Sequence, residues 1–299
     1  VNTHPYRFQA IGTSWTISTT PPLDTGTLAR IQRTVEEFDL TYSRFRPDSD
    51  ISQFARAAGS QALPDTAAPL FAFYRQLYEI TEGQVSPLVG RALEHLGYDS
   101  DYSLRRRSGQ VSVPLWDDVL TVAGSVLTAT EPVLLDVGAA GKGYLVDLLA
   151  EKLAQHGYRE FLIDASGDIA HCGPETCRVG LEHPADPGQV IGVANLQNAS
   201  LCGSAVNRRS WGEGLHHIID PVTGESTTDV LATWVVVDRS ISIDGNATSH
   251  STMVADGLAT ALFFTEPSIL ANQFDFSYVR MLATGGVEYS INFDGELFT

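Results

Sequence analysis

Strand-like runs crowd the second half of this chain without a helical pattern set regularly between them, and that restricts the fold more than any other feature. Trp15–Ile17, Val119–Val122, Val133–Leu135, Phe161–Ile163, Val190–Leu196, Trp234–Val237, Tyr278–Leu282 and Tyr289–Phe293 are rich in β-branched and aromatic residues and bounded by Gly, Pro, Asp or Asn. A doubly wound sheet needs a crossover helix after each strand. The pattern therefore favours an α+β fold of mixed, largely antiparallel sheets with flanking helices. Helical spacing is confined to four places. Thr25–Ser43 sets Leu28, Ile31, Val35, Phe38 and Tyr42 at three- and four-residue steps, and Leu70–Glu82 has Pro69 near its first turn. Leu145–His156 is closed by Gly157, and Leu258–Phe264 has Ser249 or Ser251 available to cap it, with Pro267 behind. Ile241–Ser251 reads as a polar, exposed loop. No fixed-period repeat or low-complexity linker divides the chain, so residues 1–299 are expected to form a single unit of two lobes.

The 19 basic residues stand against 36 acidic ones, a net charge of −17. Neutralising a phosphate backbone takes a concentrated basic surface, so DNA and RNA are excluded as partners. The basic clusters, Arg105–Arg107 and Arg208–Arg209, read as a solvated loop and a ligand-facing turn. An acidic protein that binds an anionic nucleotide needs a metal ion or helix-terminus amides to make the site locally favourable. No stretch approaches the roughly 20 apolar residues of a membrane helix, so membrane association is expected only through a leader or anchor outside these residues. Val1–Pro5 shows no signal-peptide character, which keeps a cytoplasmic location open. Cys172 and Cys177 bracket four residues and could pair in an oxidising compartment. Free thiols are the favoured reading, and no zinc spacing is present.

Four segments have the composition of chemistry. Leu135–Asp147 (LDVGAAGKGYLVD) is expected to run from a strand through small residues into a helix, a turn that lets backbone approach a ligand and turns free amides toward phosphate oxygens. It is not a Walker A loop, since Gly143 rather than Ser or Thr follows Lys142. Asp164–Asp168 (DASGD) places an acidic residue after a tight turn. Leu215–Gly224 (LHHIIDPVTG) carries a turn built from Asp220, Pro221, Thr223 and Gly224, and His217 just ahead of it suits general acid–base work near neutral pH. In Val254–Leu262, Asp256 and Thr260 lie one helical turn apart and offer a carboxylate and a hydroxyl to a hard cation such as Mg²⁺. Taken singly, each segment also has a structural explanation: a packing turn, loop punctuation, a hydrogen-bonded histidine, or an acid placed for the helix dipole.

In this order, the four segments resemble the signature of the ApbE family of FAD:protein FMN transferases. Ile11–Ile17, Tyr42–Phe45 with Ser49–Ser52, Gly90–Tyr98 and Trp116 add further matches, so the likeness runs from about residue 10 to 265. It implies that FAD is bound with Mg²⁺ at its pyrophosphate, that a Ser or Thr hydroxyl of an acceptor flavoprotein attacks the phosphate next to riboflavin, and that AMP departs. Asp256, Thr260 and the backbone carbonyl of Ala139 would hold the metal, with Asp256 in an exposed site, and His217 would take the acceptor's proton. Lys142, Asp168 and the Asp220–Thr223 turn would line or brace the nucleotide pocket, with Gly12, Thr13 and Phe45 along its edges. The likeness also implies a bacterial, periplasmic or cell-envelope setting. Departures from the family pattern fall at Ala55, Val85–Leu88, Leu96, Leu201–Cys202 and Ser166, and several of them remove polar or aromatic groups at or near the pocket. They leave two rivals to transfer: an FAD pyrophosphatase giving FMN and AMP, and a non-catalytic FAD-binding protein.

Overall fold

The computed structural model describes residues 5–212, 214–239 and 250–298. Eight strands form its central sheet, and their order across the sheet is their order along the chain. They are β1 (Tyr6–Ala10), β2 (Thr13–Thr20), β3 (Glu160–Asp164), β4 (Asp168–Cys172), β5 (Ala199–Ala205), β6 (Val230–Asp238), β7 (Ser277–Leu282) and β8 (Val287–Tyr289). Every strand pairing among the described residues is antiparallel.

Four longer helices are α1 (Thr25–Tyr42), α2 (Ala67–Ile80), α3 (Gly141–Gln155) and α4 (Ser251–Ala261). The sheet's alternation decides what lies on each face. On β5 and β6, Cys202 and Val235 point into the core shared with the helices, where Ile31, Leu70, Leu145 and Leu258 are buried. Leu201 and Trp234 point the other way, onto a three-stranded sheet of Cys177–His183, Asp186–Leu196 and Gly295–Leu297 that contributes Leu181 and Leu196. The central sheet is therefore covered by helices on one side and by a small sheet on the other. A further three-stranded sheet, of Gly59–Ala62, Leu120–Ala123 and Val126–Ala129, buries Leu127 in the helical layer.

The α+β class with antiparallel sheets and flanking helices is the one expected. α1 matches its expected span because Asp24 caps it, accepting from Thr27 N at 2.8 Å, and Ile31 and Phe38 are buried along one stripe. Gly157 follows α3 with φ +86°, a conformation suited to glycine at a helix end.

Several boundaries differ. Val133–Leu135 is not a strand. The run is buried, yet no strand among the described residues flanks it, and Asp136 N donates to Pro87 O instead. Continuous apolarity marks burial there, not sheet. Val119 ends a one-turn helix, Trp116–Val119, and the strand starts at Leu120. Strand β8 stops at Tyr289, because the chain then turns with Phe293 N on Ser290 O. α4 starts at Ser251, well before Leu258, so Ser251 is its first residue and not its cap. Ser249, like residues 241–249 of the expected loop, lies outside the described residues. Cys172 and Cys177 are free thiols, as favoured.

Candidate functional site

Two tight hairpins, the start of α3 and the second half of α4 border one cavity of about 880 Å³, toward the upper end of the size of ligand sites. The β1–β2 turn enters its wall with Ile11 and Gly12 both at positive φ, the twist a two-residue hairpin needs. In the β3–β4 turn, Ser166 and Gly167 do the same at φ +56° and +105°. This sets Asp168 at the start of β4, facing the helical layer and fully buried.

The polar centre forms where the start of α3 crosses the second half of α4. Ala139 O accepts from Thr260 Oγ1 at 3.5 Å, and Asp256 sits one turn earlier on the same face of α4. Asp256 Oδ2 accepts from Gly143 N at 2.9 Å. Lys142 Nζ stands 2.8 Å from Asp168 Oδ2 and donates to Ala165 O at 3.2 Å. The Lys142–Asp168 distance is that of an ion pair, but its angles leave both Asp168 oxygens without a hydrogen bond in good geometry.

Burial pushes the Asp256 carboxyl well above its usual range, and the Asp168 charge pushes it further. Burial likewise raises Asp168, offset in part by Lys142. Burial works against the Lys142 charge, yet the two carboxylates outweigh it and raise that group. Two acids face one lysine at this buried spot, and a cation there would favour their charged forms. Asp256, the Ala139 carbonyl and the Thr260 hydroxyl are hard oxygen donors of the kind Mg²⁺ takes. Among the described residues no cluster of three or more His, Cys, Asp or Glu side chains competes as a metal site.

His217 and Arg209 line the same cavity. His217 Nδ1 is buried without a partner, and its backbone N donates to Arg209 O at 3.2 Å. Burial, with the Arg209 charge and His216 adding to it, pushes His217 down to about 3, so the ring is neutral at physiological pH. Phe45, Tyr98, Tyr102 and Trp211 form an aromatic wall. Phe45 and Tyr102 stack at 5.2 Å and 8°, and Tyr98 and Trp211 at 5.5 Å and 22°. Arg44 is buried behind it, 2.5 Å from Asp136 Oδ2 and 4.2 Å above the Phe45 ring.

The structure gathers Gly12, Thr13, Phe45, Ala139, Lys142, His217, Asp256 and Thr260 on this cavity. The structure corrects one of these expectations and narrows two others from lining to bracing. Asp256 is not in an exposed site: it is only 4% exposed. Asp220 and Thr223 do not line the cavity, because their polar groups close their own turn: Val222 N and Thr223 Oγ1 donate to the Asp220 carboxylate at 2.9 and 3.1 Å. They brace the chain next to Ile219, which does line it. Asp168 lies one layer behind, reaching the cavity through Lys142. The loop before α3 also differs, since Ala139 N and Ala140 N both donate to Tyr74 Oη, at 3.1 and 3.2 Å, and do not await phosphate. Tyr74, Tyr102 and Trp211 escaped the sequence reading because each stands outside the four segments with no spacing to tie it to them. Trp211 donates to Leu96 O at 2.9 Å and so packs an indole beside one of the positions that depart from the family pattern.

The ApbE family model matches residues 11–274. The FAD:protein FMN transferase of Vibrio cholerae is 26% identical over 252 residues, covering 78% of this chain and 71% of that protein. Its counterpart in Haemophilus influenzae is 24% identical over 255 residues, covering 78% and 70%. Among solved structures, the ApbE protein of Thermotoga maritima superposes with a TM-score of 0.82 at 20% identity over 97% of both chains. The flavin transferase ApbE of Vibrio cholerae gives 0.75 at 21% identity over 97% of this chain and 96% of that one. The shared fold and a family match spanning most of the residues lead to one conclusion: this chain belongs to the ApbE family.

Proposed function

We propose that this protein transfers FMN from FAD to a Ser or Thr hydroxyl of an acceptor flavoprotein, with Mg²⁺ required and AMP released. The observation that carries the reading is the convergence of Ala139 O, Asp256 and Thr260 with a neutral His217 across one cavity, in a chain whose named relatives are FAD:protein FMN transferases.

Asp256, Thr260 and the Ala139 carbonyl would hold the Mg²⁺, which when bound neutralises charge on the FAD pyrophosphate. His217, neutral and lining the cavity, accepts the hydroxyl proton as the oxygen bonds to the riboflavin-side phosphorus. The bond from that phosphorus to the bridging oxygen breaks, and AMP leaves with the electron pair. Arg209 forms no ion pair among the described residues and faces the cavity, so its charge is free for a phosphate. A bound phosphate would also offset the Arg209 charge on His217 and raise the basicity of the ring when substrate is in place. Phe45, Tyr98, Tyr102 and Trp211 offer faces to a planar ring system.

The test is incubation with FAD and Mg²⁺, with and without a candidate acceptor domain, read by chromatography and acceptor mass. An acceptor heavier by one FMN, with AMP released, is the expected result. FMN and AMP at equal rates whether or not any of several acceptor domains is present would mark a pyrophosphatase instead. Intact FAD throughout would mark a binding protein.

A further inference from the structure

The donors of the proposed cation site come from two helices. Ala139 directly precedes α3, and Asp256 and Thr260 ride on α4, so the position of one helix along the other decides whether the donors meet. α4 is not capped by its own N-cap residue, since His250 makes no side-chain cap bond. The cap comes from the middle of α3. Asp147, 4% exposed, accepts from Met253 N at 2.8 Å and Thr252 N at 3.3 Å. The exchange is reciprocal, because Asp256 on α4 accepts from Gly143 N in the first turn of α3.

Arg239 completes the arrangement. Its Nη1 lies 3.0 Å from Asp147 Oδ1 and 3.1 Å from both Ser200 Oγ and Thr252 Oγ1. A cap drawn from a helix's own sequence fixes only where that helix ends. A cap drawn from a neighbouring helix also fixes where one stands along the other. Asp147 does not line the cavity and cannot touch substrate there.

We infer that Asp147, with Arg239, is a positioning pair that sets the register of α4 against α3 and thereby brings Ala139 O, Asp256 and Thr260 together as a cation site. This rests on the Mg²⁺ requirement proposed above.

The test measures Mn²⁺ binding to the full chain by electron paramagnetic resonance, alongside FAD binding without metal. D147A is expected to weaken Mn²⁺ at least tenfold, and D147N and R239Q less, with metal-free FAD affinity within threefold of wild type for all three. L181A, which opens a cavity in the other layer, provides the comparison for general destabilisation and should leave Mn²⁺ affinity unchanged. If D147A fails to fold, D147N and R239Q still decide the matter. Unchanged Mn²⁺ affinity in the folded variants overturns the inference alone, as does an equal loss in L181A. Absence of Mn²⁺ binding by the wild type overturns the functional reading and this inference together.

Discussion

Asp256 has two demands on it that a single substitution can separate. It contributes a carboxylate to a buried site next to Asp168, and it accepts a hydrogen bond from Gly143 N. Asp256→Ala removes both and leaves a buried donor unpaired, a loss of about 1–3 kcal/mol in stability. Asp256→Asn keeps an acceptor for Gly143 while removing the charge. The Asn variant is expected to lose metal-dependent turnover by at least about 100-fold, or about 3 kcal/mol. Its metal-free Tm should not fall, since one of two crowded carboxylates is gone. A lowered Tm with turnover intact would reject the metal role. Arg209 is separable in the same way. Arg209→Gln is expected to weaken FAD binding about tenfold, close to one charge-assisted hydrogen bond. It should also let the His217 value climb from about 3, as followed by NMR titration of the ring, because the nearby positive charge is one cause of the depression. An unmoved His217 would leave burial as the whole cause. His217→Ala should slow transfer more than it weakens FAD binding, and equal losses would make His217 a binding residue only.

At the scale of elements, the crossing of α3 and α4 depends on Gly143. A Cβ there would stand 2.3 Å from Thr252 O and 2.7 Å from the Asp256 Cβ, so backbone as well as side chain would have to move. Gly143→Ala is therefore expected to cost about 1–3 kcal/mol in chemical denaturation and to lower metal affinity as Asp256 is displaced. Full metal affinity in that variant would show that the helices can part without disturbing the site. The same crossing explains how far the sequence could be read. Asp256 and Thr260 were legible because helical spacing alone puts them on one face, and the Asp220–Gly224 turn because its residues carry their own geometry. The return of Ala139 O to Thr260, 121 positions apart, and the Asp147 cap over α4 join distant segments, and no local period encodes such pairings. Val133–Leu135 shows the complementary limit. Apolarity signalled burial correctly, but its partner is the turn at Pro87, which only the tertiary fold supplies. The aromatic wall was half legible: Phe45 and Tyr98 fall within recognisable segments, whereas Tyr102 and Trp211 meet them only by folding.

For the whole molecule, the titrating groups of the site make stability depend on pH in two opposed ways. The Asp168–Asp256 pair has folded values raised above those of the unfolded chain. Its contribution is present below the usual carboxylate range and is lost as pH rises through the raised values. His217 has a folded value of about 3 against an ordinary 6.5, so the unfolded chain takes up a proton first, and stability falls as pH drops from about 6.5 toward 3. Of these groups only Asp256, crowded by Asp168, belongs to the proposed cation site, and a cation binds its charged form. The stabilisation by Mg²⁺, measured as the difference in Tm with and without the ion at each pH, should cancel most of the His217 effect and isolate the pair. At about 100 times its dissociation constant the ion contributes about 2.7 kcal/mol, or about 5 °C in a chain of this size. That shift is expected at pH 8 and should shrink toward nothing at pH 4.5, where protons compete for the same oxygens. With a net charge of −17, any divalent ion also screens repulsion over the whole surface, so NaCl at matched ionic strength is the necessary comparison. Asp256→Asn should abolish the Mg²⁺-specific part at both pH values. An equal shift at pH 4.5 and 8, or one that survives in the Asn variant, would assign the stabilisation to the acidic surface and remove the thermodynamic support for a cation at Asp256.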